Sequence, residues 1–138
     1  MKDAVTNANI RFLGWDALLP VPRSVKPYPP NASPIDWGVG IHHPRGEPMK
    51  ISHALDPIDL DGSGLAWPWP LNFLPNTHLK ACWNLGTVEG GSSGSPLFDQ
   101  NKRIRGQLHG STDDCYIRWA WYGALFLSMQ GSGTDIQD

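Results

Sequence analysis

The sequence predicts an all-β fold, an antiparallel barrel or sandwich, and three observations predict it. Apolar residues come in short runs, several of them alternating with polar ones, and each run is closed by turn residues. The chain holds 15 Gly and 13 Pro among 138 residues, too many breakers for long helices. No stretch carries a convincing helical repeat of apolar positions. With 40% apolar and 17% charged residues the chain can bury a core, and its length suits one domain, residues 1–138.

The elements follow in order. Asn9 to Asp16, "NIRFLGWD", is the first strand candidate. Leu18 to Pro34 is Pro-rich and cannot supply ladder donors, so an extended excursion is expected at about residues 18–36. Trp37–Pro44 and Met49–Leu55 read as a hairpin around "PRGEP". "DLDGSG" from Asp59 is turn chemistry, and "AWPWP" at Ala66–Pro70 is too Pro-rich for an interior strand. Thr77–Leu85 alternates as a strand should. Ser95–Asp99 and Arg103–Gly110 flank the turn "QNK", and Trp121–Met129 completes about seven strands.

Composition also removes function classes. A net charge of −2 gives no electrostatic reason to expect nucleic acid or anionic lipid. No apolar run approaches the ~20 residues of a membrane span, so no membrane partner is expected. No apolar leader is visible in "MKDAVTNANI". The five histidines and two cysteines lack zinc spacing, so no metal and no cofactor is expected. Cys82 and Cys115 can pair with each other or with something outside the chain; the spacing decides neither. "NAS" at Asn31–Ser33 is a formal glycosylation sequon.

The chemistry-bearing stretch is "GGSSGSPLFDQNKRIRGQLHG", Gly90–Gly110. A serine hydroxyl is a poor nucleophile until a tight turn presents it to a base. Flanking glycines let backbone N–H groups converge where an oxyanion would form. On this reading Ser93 is the nucleophile, and the N–H groups of Gly91 and Ser93 form the oxyanion hole. A Gly/Ser hairpin loop without chemistry is the plain alternative.

The surroundings decide between them. "FLGWD" at Phe12, "GIHHPRG" at Gly40, "KIS" at Lys50, "TVEGGSSGSPLFDQNKRIRGQLHG" at Thr87, Cys115 and "WYGALF" at Trp121 occur in family order. Together they resemble the second barrel of a trypsin-like serine protease of the bacterial lysyl-endopeptidase branch. The resemblance implies a six-stranded antiparallel Greek-key barrel, the C-terminal half of a double barrel. It implies acyl-enzyme hydrolysis of a peptide or protein substrate, whose backbone would pair with the edge Leu108, His109, Gly110 and Ser111. It also implies a secreted or periplasmic protein, with Cys115 bridging to the family's extreme N-terminus.

Departures from the family matter as much. The base histidine and its aspartate belong to the first barrel, which is expected to lie outside this chain, as is the family's closing helix. None of His42, His43, His53, His78 and His109 has spacing that suits the base; His109 matches a pocket-wall position, and the rest read as structural. The aspartate that holds lysine in this branch is replaced by Ala120, and the pocket floor position is Thr87. Neither is a carboxylate, so an uncharged substrate side chain is expected. Ser92 stands where vertebrate relatives carry an aspartate that pairs with a freed N-terminus, so that ion pair is not expected. The expected function is therefore the catalytic-serine half of an endopeptidase, inactive alone. The alternative is a non-catalytic peptide-binding pseudoprotease module. An uncovered inter-barrel face would favour self-association.

Overall fold

The computed structural model describes residues 13–22, 24, 26–64, 73–112 and 118–130. Seven strands form one antiparallel sheet: β1 (Gly38–His42), β2 (Lys50–Ala54), β3 (Asp59–Leu60), β4 (His78–Cys82), β5 (Pro96–Asp99), β6 (Ile104–Ser111) and β7 (Trp119–Ala124). Their order is β2-β1-β5-β6-β7-β4-β3. The extra strand over the expected six is β3, two residues drawn from the "DLDGSG" turn. The sheet curls until its ends approach, with bridges between His53 and Leu85 and between Ile35 and Ile58.

Two expectations need correction. Trp121–Met129 is not one strand: β7 ends at Ala124 and a short helix, α1 (Leu125–Met129), follows. Its five residues offer too few positions to separate a strand period from a helical one. Asn9–Asp16 forms no strand among its described residues; Trp15 makes a single parallel bridge to Ile104. "AWPWP", Cys115 and its pairing with Cys82 lie outside the described residues.

Strand alternation sets the core. Leu79 and Ala81 on β4 point inward with Ala120, Tyr122 and Ala124 on β7, joined by Trp83, Leu97 and Leu108. β1 presents glycines inward, and Gly40 must be one. A Cβ there would lie 2.9 Å from Trp83 Cη2 and 3.1 Å from Tyr122 Oη. Tyr122 Oη, Trp83 Nε1 and Ser95 Oγ are buried without a well-formed hydrogen bond. Burial accordingly pushes the Tyr122 phenol far above its ordinary range.

A buried ion cluster ties the N-terminal segment to the barrel. Arg105 on β6 pairs with Asp99 at 3.3 Å and Asp16 at 3.6 Å. It also donates to the carbonyls of Leu18 and Ser33 at 3.0 and 3.1 Å. Those carbonyls stand at the neck of the Pro-rich excursion, where Leu19 bridges Ala32.

Candidate active site

The site is built on the link between β4 and β5. Gly91 (φ 91°) and Gly94 (φ 79°) occupy the left-handed region that other residues avoid, so the backbone reverses sharply around Ser92 and Ser93. The turn is closed by Ser92 N–H donating to Glu89 O at 3.0 Å and Ser95 N–H to Ser92 O at 3.1 Å. It is pinned to the barrel on two sides. Gly94 N–H donates to Leu108 O, and Leu108 N–H to Ser95 O, each at 2.8 Å. Arg45 N–H donates to Gly90 O at 2.7 Å from the 3-10 turn Pro44–Gly46. An exposed Arg45–Glu89 pair at 3.4 Å lies over the same contact.

Ser93 is exposed at the apex, and its Oγ bonds to no described residue. The N–H groups of Gly91 and Ser93 donate to no carbonyl of the described residues. A shallow cavity of about 310 Å³ sits here, lined by Ile41, His42, His43 and Gly91–Pro96.

The neighbouring serine behaves differently. Ser92 is buried, and its Oγ lies 2.9 Å from His42 Nδ1. The other imidazole nitrogen, Nε2, lies 3.0 Å from Ser52 Oγ, which donates to Thr87 O at 2.9 Å. Burial first, then the adjacent His43, lowers the His42 pKa, while Glu89 opposes them. Sequence reading marked His42 as structural but could not see its partner, which lies 50 positions away. His43 is turned to the carbonyl of Glu47 at 3.1 Å. His53 lies on β2, lining an outer groove with Trp37 and Ile41.

The residues expected to form a substrate edge are partly assembled. β5 pairs with β6 only as far as Gln107, so His109–Ser111 extend past it and leave one side of their backbone unpaired with β5. A bulge at Leu108/Gly110 interrupts the ladder with β7 and turns His109 outward. Leu108 itself is committed, its side chain in the core and its backbone on the serine turn. Thr87 is half-buried beside Ser52. Ala120 is fully buried in the core, opposite Ala81 and Ser111 in the ladders. No carboxylate lines the serine cavity.

Near the edge two imidazoles meet. His109 Nδ1 is 2.8 Å from His78 Nε2, and Phe73 stacks 4.1 Å from the His78 ring. Among the described residues no group of three or more His, Cys, Asp or Glu is arranged to hold a metal ion.

A family model described as lysyl endopeptidase, C-terminal domain, matches residues 1–122. Among solved structures, the chain is similar to Rv3671c from M. tuberculosis H37Rv, a serine-to-alanine mutant in an inactive form. That match has 19% identity and a TM-score of 0.48, and covers 86% of this chain and 55% of that one. The Rv3671c protease in an inactive form matches at 21% identity and a TM-score of 0.49, covering 83% and 54%. The chain thus spans about half the length of the structures it matches.

Proposed function

The chain belongs to the family of the lysyl endopeptidase C-terminal domain, and from that premise we propose that it is the catalytic-serine half of a serine endopeptidase. Ser93 attacks the scissile carbonyl to form an acyl-enzyme, and the N–H groups of Gly91 and Ser93 receive the oxyanion. The observation that carries this reading is the exposed Ser93 hydroxyl at the apex of a turn whose two N–H groups stay unbonded. The substrate backbone lies along His109, Gly110 and Ser111, extending the sheet. The general base comes from outside the described residues, since no described side chain hydrogen-bonds Ser93. Without a base in reach, turnover by this chain alone falls by on the order of 10⁴–10⁶.

No carboxylate of the described residues lines the serine cavity, so the substrate side chain held there is uncharged. A peptide library cleaved chiefly after Lys or Arg contradicts that part. The outer face of β1 and β5 carries an apolar groove of about 400 Å³ lined by Leu13, Trp37, Val39, Ile41 and Phe98. It is the surface that a first barrel or a second copy covers, so association at high concentration is expected in sedimentation. The bonding of the edge and the unengaged Ser93 also support a second reading, a module that holds peptides without cleaving them.

The test is labelling of the purified chain with a fluorophosphonate, set against Ser93→Ala. Labelling that requires Ser93 means that a base reaches it in this chain and supports the protease reading. A folded chain whose labelling is identical in the two proteins leaves an inert catalytic-serine half or the peptide-binding reading.

A further inference from the structure

We propose that His42 is a positioning residue for the oxyanion turn: its imidazole, anchored on Ser52, accepts the Ser92 hydroxyl and so fixes the backbone on the N-terminal side of Ser93. The proposal rests on the reading of Ser93 as nucleophile. The proton positions follow from the hydrogen bonds themselves. Ser52 has one hydroxyl proton and gives it to Thr87 O at 2.9 Å. Ser52 Oγ must then accept from His42 Nε2–H at 3.0 Å. The neutral ring leaves Nδ1 as a bare acceptor, and Ser92 O–H donates to it at 2.9 Å. The direction of every bond, from Ser92 through His42 and Ser52 to Thr87, is thereby set.

The place of this relay gives it consequence. His42, Ser52 and Ser92 are 2%, 1% and 1% exposed, so water cannot replace a lost partner. Ser92 is the residue between the two N–H donors, and its own N–H and carbonyl close the turn. Holding its hydroxyl holds the peptides on both sides.

Burial first, and then the adjacent His43, keep that imidazole neutral against the pull of Glu89. On its own element it faces His43; across the turn it faces Glu89; opposite it on β2 stands Lys50, paired with Glu47 at 3.5 Å. No carboxylate touches the ring. Protonation would put a second donor on Nδ1, reverse the bond to Ser92, and leave a buried cation without a partner.

The test uses the full chain labelled with nitrogen-15, as wild type and as Ser92→Ala. Long-range proton–nitrogen correlation reads the His42 tautomer, and amide exchange reads positions 92, 94 and 95, whose N–H groups close and pin the turn. The expected wild type has a single tautomer with the proton on Nε2 at neutral pH. In Ser92→Ala the Nδ1 resonance moves as it loses its donor, and the three amides exchange roughly three- to tenfold faster, the loss expected for one buried hydrogen bond. On acidification of the wild type, exchange at these amides, relative to the unprotected rate at each pH, rises as His42 titrates, while that coupling is absent in Ser92→Ala. A proton on Nδ1 in the wild type, or turn exchange indifferent both to Ser92→Ala and to His42 titration, overturns the proposal. The wild-type measurements stand even if the variant folds poorly. Boron-11 NMR with a peptide boronic acid, run in parallel, separates the two readings. A fixed relay with no Ser93-dependent tetrahedral boron sinks the nucleophile, and such an adduct with no relay sinks the positioning role.

Discussion

Two histidines in this chain have their proton positions set by a hydroxyl whose own proton is committed elsewhere. Beside His42 stands the second case, at the cleft edge. Thr77 donates its hydroxyl to Leu74 O at 2.6 Å, so it accepts from His78 Nδ1–H at 2.8 Å. His78 Nε2 is then the acceptor of His109 Nδ1–H at 2.8 Å. Adding a proton to His78 would set two N–H groups face to face. Burial first, and then the charge on His109, hold the His78 pKa down to about 4, against a small opposing pull from Asp61. The sign of the effect on stability follows. Between about 6.5 and about 4 the unfolded chain binds more protons at this site than the folded one, so stability rises with pH across that window. It is fully present above the unfolded value and is lost as pH falls toward about 4. His42, also lowered, adds in the same direction. We expect the melting temperature to fall from pH 7 to pH 4, and His78→Gln to make that fall shallower. Equal slopes in the two proteins would contradict the assignment.

At the scale of elements, the inward face of β1 excludes side chains. Gly40→Ala places a methyl group against the ends of two aromatic rings that are themselves buried. We expect a loss of about 1–3 kcal/mol, the range for overpacking, read as a lowered urea midpoint with an unchanged slope. An unaltered midpoint would mean that Trp83 and Tyr122 yield freely. The strands most legible in the sequence were those with a clear turn on both sides, β1, β2, β4, β5 and β6, because alternation and breakers agree there. β3 was hidden inside turn-forming residues, since its two residues carry no period. The start of α1 was hidden in an apolar run that continues β7. In the site, the glycine-flanked serine turn was legible because local backbone chemistry demands those residues. The Ser92–His42–Ser52 relay was not, because its members come from three separate segments joined only by folding. The bulge that turns His109 outward is likewise a product of pairing with β7, which no short motif announces.

Across the whole molecule, the N-terminal segment and the Pro-rich excursion are held by Arg105 rather than by sheet hydrogen bonding alone. Its side chain is 1% exposed, with Asp99 at 0% and Asp16 at 5%. Arg105→Ala leaves both carboxylates buried without their cation. The expected cost is about 3–5 kcal/mol, measured by denaturant unfolding; a loss under about 1 kcal/mol would place this cluster with ordinary surface pairs. The same barrel that seats this cluster carries the serine turn through Leu108, whose backbone bonds both Gly94 and Ser95. The central claim is that this fold presents Ser93 over a preformed pair of N–H donors. Its most direct measurement is boron-11 NMR of the full chain with a peptide boronic acid bearing an uncharged terminal side chain, in wild type and Ser93→Ala. The account predicts a tetrahedral boron signal in the wild type that Ser93→Ala abolishes. Boron that stays trigonal in the folded wild type, or a tetrahedral signal that survives Ser93→Ala, would contradict it.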